Sequence, residues 1–251
     1  MIQSLDRGIS IMKYLARRKS AGVTEIAAEF DINKSTASRI MLTLMKHDMV
    51  CKDPETQKYR LSVGPLLFSY HVMSNHTIME IAHPILVRLS EQTGETTHLC
   101  SLQNSRLYLL DQVKSERNKY MKDAALPGMI EPFHCSAAGK VLLAHMAPAD
   151  AKMLLEDCSL NEYTKNTMVN MPEILEELRR VRERGFALDD QEFCYDLACI
   201  AVPVYDEFGY VSHAVGLSGP VTLANPKSVE RLLPFLLEAS RSLTEQYRAR
   251  S

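Results

Sequence analysis

The stretch that most restricts what this chain can become is residues 23–50, VTEIAAEFDINKSTASRIMLTLMKHDMV. Val23, Ile26, Ala27 and Phe30 recur at helical spacing, and Ala37, Ile40, Met41 and Leu44 do the same after a break. Asp31 and Ile32 fall in that break, and Asp tolerates the left-handed backbone that a tight turn requires. Ala27 is small where two helices would cross. The pattern is therefore helix, tight turn, helix. The outer side of the second helix, led in by Asn33, offers Lys34, Ser35, Thr36, Ser38, Arg39 and Thr43. Short hydroxyls between two cations suit phosphates and base edges in a major groove. A helical hairpin with a polar solvent face has the same spacing, so flanking sequence must decide.

Before the pair, residues 4–18 read as a first helix, with Ser4 as N-cap and Leu5, Ile9, Met12, Leu15 and Ala16 as its apolar stripe. Arg17, Arg18 and Lys19 close it, where cations suit the helix dipole or a phosphate. After the pair, residues 50–52 and 58–62 read as short strands around a turn that starts at Asp53-Pro54. Three helices and such a hairpin make a winged helix, with Lys52, Lys58 and Arg60 placed for backbone contacts. Charge agrees. Residues 1–60 hold 11 Lys and Arg against 7 Asp and Glu, a balance of +4, while the remainder holds 18 against 24, and the whole chain carries −2. A basic head on an acidic body fits a nucleic-acid-binding unit joined to something else.

Gly64-Pro65 marks the clearest boundary. Residues 66–73 are apolar with few charges and read as a linking helix, and an exposed apolar linker is a place for two chains to meet. Residues 77–93 read as a longer helix stopped by Gly94. The body then alternates. Residues 95–103 and 106–113 form a hairpin about Asn104-Ser105, 118–124 read as a third strand, and 126–134, with two prolines and a glycine, as a loop. Helices follow at 136–146, 148–155 and 172–184, a strand enters a charged loop at 186–198, and strands run over 199–206 and 210–219. A final amphipathic helix, 227–248, turns Val229, Leu232, Leu233, Leu236, Leu237 and Leu243 inward. About five strands with helices before, between and after them predict an α+β domain on an antiparallel sheet.

Bulk properties exclude several classes. At 251 residues and 46% hydrophobic, the chain can build a core without staples, so the six scattered cysteines read as reduced thiols in a cytoplasm. No apolar run is long enough to span a bilayer, and the first residues lack a signal-peptide pattern.

Three body stretches place polar groups beside small residues: PFHCSAAGK (132–140), LDDQEFCYDLACIAVP (188–203) and GLSGP (216–220). An enzymatic reading makes Cys135 or Cys199 a nucleophile, His134 its base and Asp189 the orienter, but neighbouring residues point their side chains apart. A metal reading uses Cys135, Cys194 and Cys199, but the spacings match no common site, and no metal or other cofactor is expected. AAGK lacks the remaining residues of a phosphate loop, so that reading fails. A small-anion pocket fits best. Ala137 and Ala138 let helix N–H groups approach a carboxylate, Ser218 supplies a hydroxyl, Cys199 a polarisable wall and Asp189 an acceptor.

Taken together, SLDRGISIMKYLA, the helix-turn-helix, KYRLSVG, HCSAAGK, RERGFALDDQEF, CIAVPVYDEFGYV and GLSGP, in this order, resemble the IclR-type bacterial transcriptional regulators over nearly the whole chain. The resemblance implies a winged helix-turn-helix over 1–63, a linker helix over 64–76 and a GAF-like effector-binding and oligomerisation domain over 77–251. It implies no catalysis, binding to a double-stranded operator as a repressor or activator, homodimers that pair into homotetramers, and a small organic-acid effector held by Ala137, Ala138, Asp189, Cys199 and Ser218. Two positions depart from the family pattern. Asp196 stands where Gly is common, which would make the pocket mouth more acidic, and Gly216 stands where Ser is common. The competing expectation is a sensor or enzyme whose helical head serves protein contacts. Salt separates the two, because phosphate binding falls steeply with salt and an apolar interface does not.

Overall fold

The computed structural model describes residues 2–75, 77–117 and 125–250. Chain contacts fall into two compact units that divide after Asn75.

In the first unit, α1 (Gln3–Arg18), α2 (Val23–Glu29) and α3 (Lys34–Lys46) surround a core of Ile11, Leu15, Ile26, Ala27, Ala37 and Met41, closed by Val50 and Tyr59 of the wing. The wing is an antiparallel pair, β1 (Val50–Lys52) and β2 (Tyr59–Leu61), in register Cys51 to Arg60. Ala21 adds an isolated bridge to it, exchanging both backbone hydrogen bonds with Tyr59. Asp31 takes φ +48° in the turn, the left-handed conformation its side chain permits. The linking helix α4 (Pro65–Asn75) follows.

Two expectations for α1 need correction. Its N-cap is Ile2, without a side-chain bond, and Ser4 lies inside the first turn. The buried stripe is Gly8, Ile11 and Leu15, whereas Leu5 and Ile9 are 59% and 48% exposed. Apolar residues occur on more than one side of this helix, and the side that meets α2 and α3 is set by packing that spacing alone does not choose.

The second unit is built on a six-stranded antiparallel sheet in the order β5-β4-β3-β8-β7-β6. Its strands are β3 (Thr96–Gln103), β4 (Arg106–Val113), β5 (Ile130–Glu131), β6 (Ala187–Asp190), β7 (Ala198–Tyr205) and β8 (Val211–Gly219). Asn104 and Ser105 both take positive φ, as the two-residue turn between β3 and β4 demands. Helices α5 (Thr77–Thr93) and α9 (Pro226–Arg248) cover one face through Ile81, Leu86, Leu232 and Leu236 against Leu99, Ile200, Val202 and Leu217. Helices α6 (Ala137–Ala144), α7 (Pro148–Glu156) and α8 (Met171–Arg184) cover the other, against Cys100, Leu107, Leu109, Ala201 and Ala214.

The segment expected as a loop over 126–134 contains β5, which pairs Glu131 with Leu107 of β4. The third strand expected over 118–124 lies outside the described residues. Leu237 points outward at 43% exposure, because the face of α9 that meets the sheet is carried by Leu232, Leu236, Ala239 and Leu243.

Candidate functional site

The α3 surface is organised by its cap. Asn33 Oδ1 accepts from the backbone N–H of Thr36 (2.7 Å) and from Ser35 Oγ (2.7 Å), which satisfies an otherwise orphaned helix donor. Lys34, Ser35, Arg39 and Thr43 are exposed, and Thr36 and Ser38 are half-buried. Thr43 donates its hydroxyl to the Arg39 carbonyl at 3.0 Å, which leaves it an acceptor toward solvent. On the wing, Arg60 is exposed, and Lys58 lies 3.7 Å from Glu25 of α2. That pair is exposed on both sides and constrains Lys58 weakly. Leu42, 59% exposed on α3, is an apolar member of this surface that the polar pattern did not single out.

In the second unit, α6 begins beneath the sheet. Ser136 caps it, accepting from Gly139 N–H at 3.2 Å and donating to the Pro132 carbonyl at 2.7 Å. Ala137 and Ala138 are buried in the layer formed with Cys100, Ala201 and Ala214. A side chain at Gly139 would come within 2.5 Å of the Phe133 carbonyl, so the helix start is packed tightly against the preceding chain. Asp189, Cys199 and Ser218 are cross-strand neighbours on β6, β7 and β8. Cys199 Sγ lies 3.3 Å from Ser218 Oγ, which lies 3.1 Å from His98 Nδ1 on β3. Burial lowers the His98 pKa to about 4, so its ring is neutral and can accept the Ser218 proton. Gly216 makes room for that ring, since a Cβ there would stand 2.3 Å from His98 Nε2.

Asp189 is 1% exposed, and its Oδ1 accepts from the N–H groups of Glu192 (2.7 Å) and Phe193 (3.4 Å). Burial, then the charge of Glu192, raise its pKa to about 7. Asp190 beside it is exposed, so strand alternation turns only the first of the two acids inward. Lys140, 1% exposed in α6, pairs with Glu192 at 2.5 Å, while Glu192 Oε2 is buried without a partner among the described residues. Thr164 and Thr167 tie this segment down, donating to the Gln191 and Glu192 carbonyls at 2.5 and 2.6 Å. From the opposite sheet edge, Glu131 accepts from Cys100 Sγ at 3.9 Å, and burial raises its pKa to about 7.

Glu131, His98, Lys140 and Glu192 escaped the sequence reading. The available signal was a charge inside an apolar frame, as in AAGKVLLA and in the IEP that precedes the FHCS run. Asp196 sits in an exposed turn with φ +63°, so its departure from Gly falls at a left-handed position away from the buried groups. The nucleophile reading does not survive. His134 Nε2 bonds the Asn161 carbonyl at 3.0 Å, and burial together with Asp189 pushes the Cys135 thiol far up. Among the described residues no three His, Cys, Asp or Glu side chains converge as a metal site would require, and Cys194 is exposed while Cys135 is buried. No described helix is long and apolar enough to cross a membrane.

A winged helix-turn-helix with a capped, cation-bearing second helix, on a chain that also holds an antiparallel sheet domain with buried polar groups, is the build of a DNA-binding transcriptional regulator. Residues 70–245 match the family described as bacterial transcriptional regulator IclR C-terminal, and residues 4–54 match the IclR helix-turn-helix domain. The chain belongs to the IclR family of bacterial transcriptional regulators, whose named members are regulators and not enzymes.

Among its relatives, the HTH-type transcriptional regulator BhcR of Paracoccus denitrificans is 32% identical over 245 residues, 97% of this chain and 86% of that one. The transcriptional repressor IclR of Escherichia coli is 28% identical over 249 residues, 98% and 90% of the two chains. The crystal structure of Thermotoga maritima IclR superposes with a TM-score of 0.81 at 25% identity, covering 99% of this chain and all of that one. An IclR homolog from Microbacterium hydrocarbonoxydans, crystallised with 4-hydroxybenzoate, shares the fold at a TM-score of 0.80 and 21% identity, covering 98% and 99% of the chains.

Proposed function

We propose that this regulator binds an operator through α3 and the wing, and that a small organic acid bound in the second unit controls that binding. In this reading residues 1–63 are the DNA-binding head, 64–76 the linker and 77–251 the effector and oligomerisation domain. The observation that carries it is the α3 surface, where the capping Asn33 leads into exposed Lys34, Ser35 and Arg39 with Thr36, Ser38 and Thr43 between and beyond them. Lys58 and Arg60 serve as backbone contacts from the wing. Ala137 and Ala138 receive the acid at the α6 start, with Asp189, Cys199 and Ser218 around it. The 4-hydroxybenzoate in the complex of the Microbacterium homolog is also a small acid.

Leu66, Leu67, Phe68, Tyr70 and Val72 are each more than half exposed on α4, which supports a homodimer or homotetramer assembled in part through this helix. Two heads then read two half-sites. The effector acts by binding the operator-competent and incompetent arrangements with different affinity. As with the repressors among its relatives, we take repression relieved by the acid as the sign of control.

The test is binding to a labelled fragment from upstream of the chain's own gene, with excess non-specific competitor, at two salt concentrations. Tight binding that survives competitor and falls steeply with salt is expected. Binding that is unaffected by salt would overturn the reading in favour of a head built for protein contacts.

A further inference from the structure

Helix α3 carries one large apolar side chain that the core of its unit leaves out. Ala37 and Met41 lie within that core, and Ile40, Leu44 and Met45 pack against it. Leu42 stands apart at 59% exposure, the one large apolar residue of α3 so exposed among the described residues. It lies one helical turn from Ser38, Arg39 and Lys46 and two turns from Ser35, at the middle of the outward face. Residues 34–46 hold no Asp or Glu, so hydroxyls and cations surround it. Leu42 is also about 160° around the helix from Ile40, which lines the groove between α3 and α1 with Leu5, Ile9 and Met12. A face built for another apolar helix gathers several such side chains, whereas here a lone leucine is ringed by groups suited to a nucleic acid.

A helix laid in a major groove turns its outward face to the base edges. Seven residues at a rise of about 1.5 Å set Leu42 about 10 Å beyond Ser35, a span of about three base pairs. Every base offers hydrogen-bonding groups in that groove, and thymine alone adds a methyl group. Leu42 can neither donate nor accept. It gains by burying the methyl, while a polar edge facing it gives up hydrogen bonds to water without replacement.

We propose that Leu42 is a specificity-determining residue of the operator contact, reading the C5-methyl group of one thymine in each half-site. The inference rests on the proposed operator binding through α3 and adds to it a residue and the base it selects. Burying one methyl group changes affinity about 4-fold, so two half-sites together give on the order of 10-fold.

The experiment first selects tight-binding duplexes from a pool of random sequences with the full chain. In the enriched duplex each thymine is then replaced in turn, in both half-sites together, by deoxyuridine, which keeps the pairing and removes only the methyl group. At one position the replacement is expected to weaken binding by about 10-fold. Leu42→Ala is expected to bring that ratio close to one, and Leu42→Met, which keeps the apolar reach, to retain most of it. Circular dichroism verifies that both variants remain folded. The proposal is overturned if no thymine methyl matters to the unaltered chain. It is overturned equally if a folded Leu42→Ala weakens thymine and uracil duplexes alike, as loss of a protein contact would, or leaves both unchanged. An enriched, salt-sensitive site with any of these results leaves the regulator standing, whereas a pool that yields no enriched sequence removes that reading and this one with it.

Discussion

Replacing Asp189 by Asn removes a buried titration while leaving the local hydrogen bonds in place. The Asn side-chain oxygen can still accept from the N–H groups of Glu192 and Phe193, which now bond Asp189 Oδ1. In the folded chain, burial and the Glu192 charge hold the Asp189 carboxyl near pH 7, against an ordinary value of 3.8. Between those values the folded state keeps a proton that the unfolded state has released. The contribution is therefore fully present below about pH 4 and is lost as pH rises through 7. Roughly three pH units at about 1.4 kcal/mol each gives an upper limit of about 4 kcal/mol. Glu131 titrates in the same range in both proteins and cancels in their difference. Urea unfolding followed by far-UV circular dichroism at pH 4.5, 6 and 8 measures that difference. Asp189→Asn is expected to gain on the parent as pH rises, by several kcal/mol over the series. Stability curves that stay parallel from pH 4.5 to 8 would refute the argument.

Lys140→Met strands the buried Glu192 carboxyl and is expected to destabilise the second unit by about 3–5 kcal/mol in urea melts, while Lys140→Met combined with Glu192→Leu recovers most of the loss. Arg39→Ala is expected to weaken operator binding and lower the salt slope by about one, with an unchanged circular dichroism spectrum; an unaltered slope would remove Arg39 from the phosphate contacts. Asn33→Ala deletes the α3 cap and is expected to cost the first unit about 1 kcal/mol, read by hydrogen exchange along α3. Ser218→Ala breaks the link between Cys199 and His98 and is expected to blunt the response to acid without changing operator affinity in its absence.

The helix-turn-helix was legible because its evidence is local. Spacing over a few residues fixes α2 and α3, and the left-handed Asp31 follows from the break between them. The hairpin turn at Asn104 and Ser105 is local in the same way. Strand order and the facing of charged groups are not. Glu131 enters the inner face through a two-residue strand whose partner, Leu107, lies 24 residues earlier, and its surroundings read as a loop. Lys140 looks misplaced in an apolar helix until Glu192, 52 residues later, is brought against it. The inner placement of Asp189, Cys199 and Ser218 rests on a cross-strand register that the motifs implied only through family likeness. On α1, too many apolar residues left the choice of buried side to its neighbours.

The vacancy at Gly216 is occupied by the His98 ring reaching over from the adjacent strand. The two positions thus share one parcel of volume, and neither can be enlarged unless the other shrinks. Any chain that carries Ser at the first of them needs a smaller or displaced side chain at the second. The volume at this point of the sheet is therefore held jointly, and a larger residue at 216 calls for a smaller one at 98 in the same step. A single enlargement at Gly216 would meet the ring at 2.3 Å and cost stability unless the ring gives way.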